Sequence, residues 1–191
     1  MMTLSKQPQL TPSRGPNTVA VASFLERSQV NGPGIRSVLW VQGCPFRCPG
    51  CFNPQFQPFA GGVPTPVGEL VRRILAGQGT EGVTFSGGEP FAHAAGLAQV
   101  ARAVRAEGKG VVVFTGYAKE VLSASRDSAH QVLLAQADLL VAGSYEAEMP
   151  CDHGLVASAN QRLVFLTARY RGYDIGLHGR RFEVHVNNGG E

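Results

Sequence analysis

The chain of 191 residues is 43% hydrophobic and 16% charged, with a formal net charge of +3, a globular balance that excludes a disordered chain and a nucleic-acid-coating basic surface. No stretch approaches the roughly 18 uninterrupted apolar residues of a membrane span. The opening residues, Met1 to Asn17, are polar and contain no signal-type apolar segment, so a flexible leader (1–17), one domain (18–191), a cytoplasmic location and no membrane or nucleic-acid partner are expected.

In chain order, Val19 to Leu25 is apolar and β-forming, a first strand. Asn31-Gly32-Pro33-Gly34 is a turn by composition. Arg36 to Val41 predicts a second strand that runs into Gly43 and a cysteine loop, where Pro45, Pro49 and Pro54 forbid regular structure. Gly61 to Pro66 reads as another loop. Leu70, Val71, Ile74 and Leu75 at helical spacing predict a helix over Val67 to Leu75, stopped by Gly77 and Gly79. Gly82 to Phe85 is a short strand ending in Ser86-Gly87-Gly88-Glu89-Pro90. A helix follows over Ala94 to Ala106, then a strand over Val111 to Phe114, unbroken in the manner of strands buried on both faces. Ser128 to Gln136 is a further helix, and Leu139 to Val141, Leu163 to Leu166 and Phe182 to Val186 are further strands. This rhythm indicates α/β organisation, with βα units around a mainly parallel sheet. Ligands on such sheets sit at the carboxyl ends of the strands, where the cysteines, Gly87-Gly88-Glu89 and Thr115-Gly116-Tyr117 all fall.

Cys44-Pro-Phe-Arg-Cys48-Pro-Gly-Cys51 packs three of the four cysteines into one loop. That is poor disulfide geometry and good metal geometry. Thiolates are the normal ligands of iron–sulfur clusters, and three ligands for four irons leave one iron open, the mark of a catalytic metal. The alternative is a zinc site completed by Cys151 or a histidine, although zinc knuckles come in pairs and Cys151 has only His153 beside it.

Cys44, Cys48 and Cys51 at this spacing, followed by Phe52-Asn53, resemble the signature of the radical S-adenosylmethionine superfamily, and Gly87-Gly88-Glu89-Pro90 stands where its second motif is expected. Within the superfamily the chain is similar to the glycyl-radical activating enzymes, in particular the anaerobic ribonucleotide reductase activating family. Val30 to Arg36, Gly82 to Pro90, Phe114 to Tyr117, Ala137 to Val141 and Asn160-Gln161-Arg162 carry the likeness, over roughly residues 19 to 166. Ala142-Gly143-Ser144 departs from the family's Asp-Gly-Lys, and the tail after about residue 169 is an extension to the family pattern.

The resemblance implies a single-domain, incomplete β/α barrel. It also implies a 4Fe–4S cluster on Cys44, Cys48 and Cys51, with S-adenosylmethionine chelated to the open iron and cleaved to a 5′-deoxyadenosyl radical. Phe52, Ser86, Gly87, Gly88, Glu89 and Thr115 are the implied cofactor-binding residues, with Glu89 offering a carboxylate to the methionine ammonium and Phe52 a surface for adenine. The bland readings stand beside these: a strand-to-helix turn for Gly87-Gly88-Glu89, loop packing for Phe52, loop capping for Thr115 and Tyr117. Arg36 is either a fork for a carboxylate or a surface residue. Three functions compete. One is a maturase that installs a glycyl radical on a large partner enzyme, fed by a flavodoxin or ferredoxin; another is a radical enzyme acting on a small molecule, closed by the tail; the third is a non-catalytic cluster or zinc module.

Overall fold

The computed structural model describes residues 7–10, 14–175 and 183. Seven strands form one open sheet in the order β3-β1-β2-β4-β5-β6-β7. They are β1 (Thr18–Ser28), β2 (Arg36–Val41), β3 (Val63–Pro66), β4 (Gly82–Gly87), β5 (Gly110–Thr115), β6 (Leu139–Ala142) and β7 (Arg162–Phe165). Helices α1 (Val67–Ala76), α2 (Ala94–Ala106), α3 (Lys119–Ser123) and α4 (Ser128–Gln136) complete the framework.

The sheet is parallel only at its centre, where β2, β4, β5 and β6 run together, with Val38 opposite Thr84 and Val113 opposite Leu140. Both margins are antiparallel, which corrects the expectation of a mainly parallel sheet. The reason lies in the connections. Residues 29–35 are too few to carry a crossover, so β1 and β2 must form a hairpin, and β7 returns from residues 143–161 without a helix between. Gly61 to Pro66, expected as loop, contains β3, which pairs with Thr18 to Val21. Its two prolines are tolerated because it is an edge strand. Of the expected strand Phe182 to Val186 all but Glu183 lies outside the described residues.

Alternation along the strands separates two faces. Val111 and Val113 of β5, Val83 and Phe85 of β4, and Leu39 and Val41 of β2 join Leu70 and Ile74 of α1, Leu97, Val100 and Val104 of α2, and Leu133 of α4 in one core. Val112, with Phe114, packs instead on the opposite face against Leu139, Leu163, Phe165 and Tyr170. All three valines of β5 are buried, as an unbroken apolar run requires.

The amino ends of the central strands are pinned by polar side chains. Asp138, just before β6, accepts from Val111 N (2.9 Å), Thr167 Oγ1 (2.7 Å) and Arg105 Nη1 (2.7 Å). Arg36 is fully buried, not on the surface, and its guanidinium donates to Pro33 O at 2.9 Å and to Tyr170 Oη at 2.7 Å. Tyr170 belongs to the segment after β7, so this end of the sheet is sealed from both directions in the chain.

Candidate metal and cofactor site

At the carboxyl end of β2 the backbone turns sharply through Gly43, whose φ is +102°. A Cβ there would stand 2.5 Å from the Phe59 ring, so only glycine fits. The cysteine loop begins at this point and is rooted on the short 3₁₀ turn Pro54–Phe56: Gly43 N donates to Phe56 O and Cys44 N to Gln57 O, both at 2.8 Å. Arg47 (φ 50°) and Gly50 (φ 70°) curl the loop back on itself. Its three thiols are free and half-buried.

Backbone amides face the sulfurs. Asn53 N lies 3.4 Å from Cys51 Sγ. The amides of Phe46 and Arg47 face Cys44, and that of Tyr145 faces Cys48. Burial nevertheless dominates: it pushes the Cys44 thiol up to about 12, with the charge of Glu89 adding to the shift, and it raises Cys48 as well. Cys151, the alternative fourth ligand, donates instead to Val156 O within its own loop at 3.6 Å, and His153 Nδ1 accepts from Leu155 N at 3.5 Å. Among the described residues no three Cys, His, Asp or Glu side chains are gathered closely enough to hold a single metal ion. The donor set, three thiols on one loop with amides turned toward sulfur, is of the kind that iron–sulfur clusters take as ligands.

The second motif is joined to the first through the main chain. Gly88 N donates to Val41 O and Glu89 N to Gly43 O, each at 2.8 Å. Gly87 has φ +102°, and a Cβ there would come within 2.6 Å of Val41 N; one at Gly88 would collide with the Gly43 carbonyl. The glycines are thus required by backbone packed directly on backbone. Ser86, half-buried, closes β4 beside them.

Glu89 is fully buried. Its carboxylate accepts from Phe91 N (2.9 Å), Thr115 Oγ1 (2.8 Å) and Gly116 N (2.9 Å). Desolvation pushes its pKa up to about 7 against the pull of those three donors. Two residues proposed separately, Glu89 and Thr115, therefore meet, but they bind each other: Thr115 Oγ1 donates to Glu89 and accepts from Tyr117 N at 3.1 Å. The arrangement ties the turn after β4 to the end of β5. Tyr117 in turn stacks edge-on to Phe46 of the cysteine loop, with centroids 4.7 Å apart.

Phe52 is 61% exposed and lies 5.1 Å from the Tyr145 ring, so it presents a surface at the mouth of the site. Two participants carried no signal in the sequence. Tyr145 comes from the irregular segment after β6, and His93, which is buried, donates from Nε2 at 2.8 Å to the carbonyl of Gln42, the residue before Gly43. Burial lowers the His93 pKa, which favours the neutral ring. Of the opening residues, Gln7 receives Ala118 N on its Oε1 and Gln9 O accepts from Tyr117 Oη.

Residues 30–164 match the model of the 4Fe-4S single cluster domain family. The chain is similar to the anaerobic ribonucleoside-triphosphate reductase-activating protein of Vibrio cholerae, 34% identical over 143 residues that cover 69% of this chain and 88% of the relative. The protein of the same name from Pasteurella multocida is 32% identical over the same shares. A shorter match, 45% identical over 65 residues, links 31% of this chain to the pyruvate formate-lyase-activating enzyme of Clostridium pasteurianum. The chain spans only 27% of that enzyme's length.

Proposed function

Because the chain belongs to the radical S-adenosylmethionine family of glycyl-radical activating proteins, we propose that it installs a glycyl radical on a large partner enzyme of the anaerobic ribonucleotide reductase kind. The observation that carries this reading is the three-thiol loop rooted, backbone to backbone, on the Gly87-Gly88-Glu89 turn. Cys44, Cys48 and Cys51 would hold a 4Fe–4S cluster with one iron left for substrate. When bound, that cluster supplies the electron that divides S-adenosylmethionine into methionine and a 5′-deoxyadenosyl radical.

The protein's part is binding and shielding. Gly87 and Gly88 offer bare backbone to the methionine end, since they carry no side chain to hold a ligand off. Glu89 and Thr115 act one step back: their mutual bond fixes the turn against β5, and the ammonium is received by the turn's main chain. Phe52, with Tyr145 beside it, offers an aromatic face to adenine. The open sheet, read as an incomplete barrel, leaves a mouth for a glycine-bearing loop of the partner. The reducing electron comes from a flavodoxin or ferredoxin in the cytoplasm.

Anaerobic reconstitution followed by dithionite and S-adenosylmethionine tests the chemistry, with release of 5′-deoxyadenosine as the expected result. A glycyl-radical signal in electron paramagnetic resonance, arising only when the partner enzyme is added, tests the maturase role. Turnover of a free metabolite without any partner would overturn it.

A further inference from the structure

Asn160 and Gln161 stand out in the sequence, and their side chains reach back to a different part of the chain. Asn160 Nδ2 donates to Ser144 O at 2.8 Å and Gln161 Nε2 to Gly143 O at 2.9 Å. The neighbouring Ser158 Oγ accepts from Glu146 N at 3.1 Å. Gln161 is itself held in place, because its Oε1 accepts from Ala157 N and Ser158 N at 2.8 and 3.2 Å. The clamped segment, residues 143–149, has left β6 and contains no helix or strand of its own.

The other side of that segment meets the cysteine loop. Ala147 and the Tyr145 ring are the nearest atoms to a Cβ placed on Gly50, at 3.4 and 3.6 Å. Gly50 lies between Cys48 and Cys51. The Tyr145 ring also packs on Phe52, directly after the last thiol, with planes inclined at 47°.

We propose that Ser158, Asn160 and Gln161 are positioning residues for the radical reaction: they clamp residues 143–149 across the cysteine loop, making that segment the wall that covers the cluster at Cys48 and Cys51. The inference rests on the reading of Cys44, Cys48 and Cys51 as cluster ligands. It adds a function for the carboxamides, whose hydrogen bonds run to main-chain groups of residues 143, 144, 157 and 158. The Tyr145 amide that faces the Cys48 sulfur belongs to this wall, and outer contacts of this kind tune a metal site and control solvent access to it.

Gln161→Glu separates the clamp from the local turn. The glutamate keeps both acceptor bonds, to Ala157 N and Ser158 N, but sets an oxygen against the Gly143 carbonyl in place of a donor. Asn160→Asp does the same toward Ser144 O. Both variants should load iron as fully as the wild type when reconstituted without oxygen. Loss of about one partly buried hydrogen bond, replaced by two facing oxygens, should then speed hydrogen exchange of the amides of residues 144–149, and release of iron to an excess of ferrous chelator, each by about tenfold. Gln131→Glu is the control. That carboxamide holds Leu122, Ser123 and Ser125 carbonyls, so it loses comparable bonds remote from the cysteine loop and should leave iron release unchanged.

Faster exchange with unchanged iron release overturns the proposal, and so does an equal acceleration in the Gln131 control. Unchanged exchange in both clamp variants overturns it too. A wild-type protein that takes up no iron is a different failure: it removes the cluster reading itself.

Discussion

Replacing Glu89 with glutamine isolates what a buried carboxylate does in this fold. The folded chain holds that carboxyl's pKa near 7, against 4.5 for an ordinary glutamate. At about 1.4 kcal/mol per pH unit the difference amounts to about 3 kcal/mol. Between pH 4.5 and 7 the native state binds more protons than the unfolded chain, so this group makes the protein less stable as pH rises. The penalty is absent below the lower value and complete above the upper one. Glutamine carries no charge and removes that slope. Its amide sets an N–H donor among Phe91 N, Thr115 Oγ1 and Gly116 N, as the O–H of the protonated wild-type carboxyl also does, so the two are matched while the wild-type group is neutral. Urea unfolding of the reduced, metal-free protein should therefore find Glu89→Gln close to wild type at pH 4.5, and more stable than wild type by about 3 kcal/mol at pH 8. A difference of the same size at both pH values would refute the reasoning, since it would mean the carboxyl ionises in the folded chain as it does in water.

Cys48→Ala should abolish the 4Fe–4S absorbance and 5′-deoxyadenosine release together, because two thiolates cannot hold a cube with one iron open; iron analysis and product chromatography check it. With Cys44 pushed up to about 12, the metal-free thiol is protonated at neutral pH, and each sulfur that becomes a ligand releases a proton. Iron loading should tighten between pH 7 and 8 by up to about tenfold per ligand, read by competition against a chelator. Asp138→Ala leaves Val111 N buried without its acceptor and Arg105 without its carboxylate. It should lower unfolding free energy by about 3 kcal/mol in denaturant titrations while leaving the iron content of the folded fraction unchanged.

The elements that sequence patterning reached are those whose cause is local. Arg36 to Val41 is an apolar run between a Gly-Pro-Gly turn and a proline-laden loop, and β2 occupies those residues. The stripe of Leu97, Val100, Ala101 and Val104 marks α2, which spans Ala94–Ala106 as expected. Edge strand β3 escaped because Pro64 and Pro66 argue against a strand, and only its pairing with β1 makes one. Arg36 could not be placed from its neighbours, since the hydroxyl that receives it, on Tyr170, is 134 residues away. Gly87-Gly88-Glu89 was legible as a turn at the end of a strand, and the chain does turn there after β4, but nothing local revealed that the Glu89 carboxylate faces inward to Thr115. Tyr145 was invisible for the same reason as the clamp: both depend on where an irregular segment lies in space.

Gly43 and Gly88 touch main chain to main chain, with no side chain between them to compress or rotate. The stretch that carries the proposed electron source and the stretch that cradles the proposed sulfonium are therefore welded into one stiff piece. Breathing of the surrounding helices would carry both together and leave the gap an electron must cross unaltered. In such a design reactivity is governed by what arrives at the mouth, and the distance for electron transfer is set once, when the chain folds.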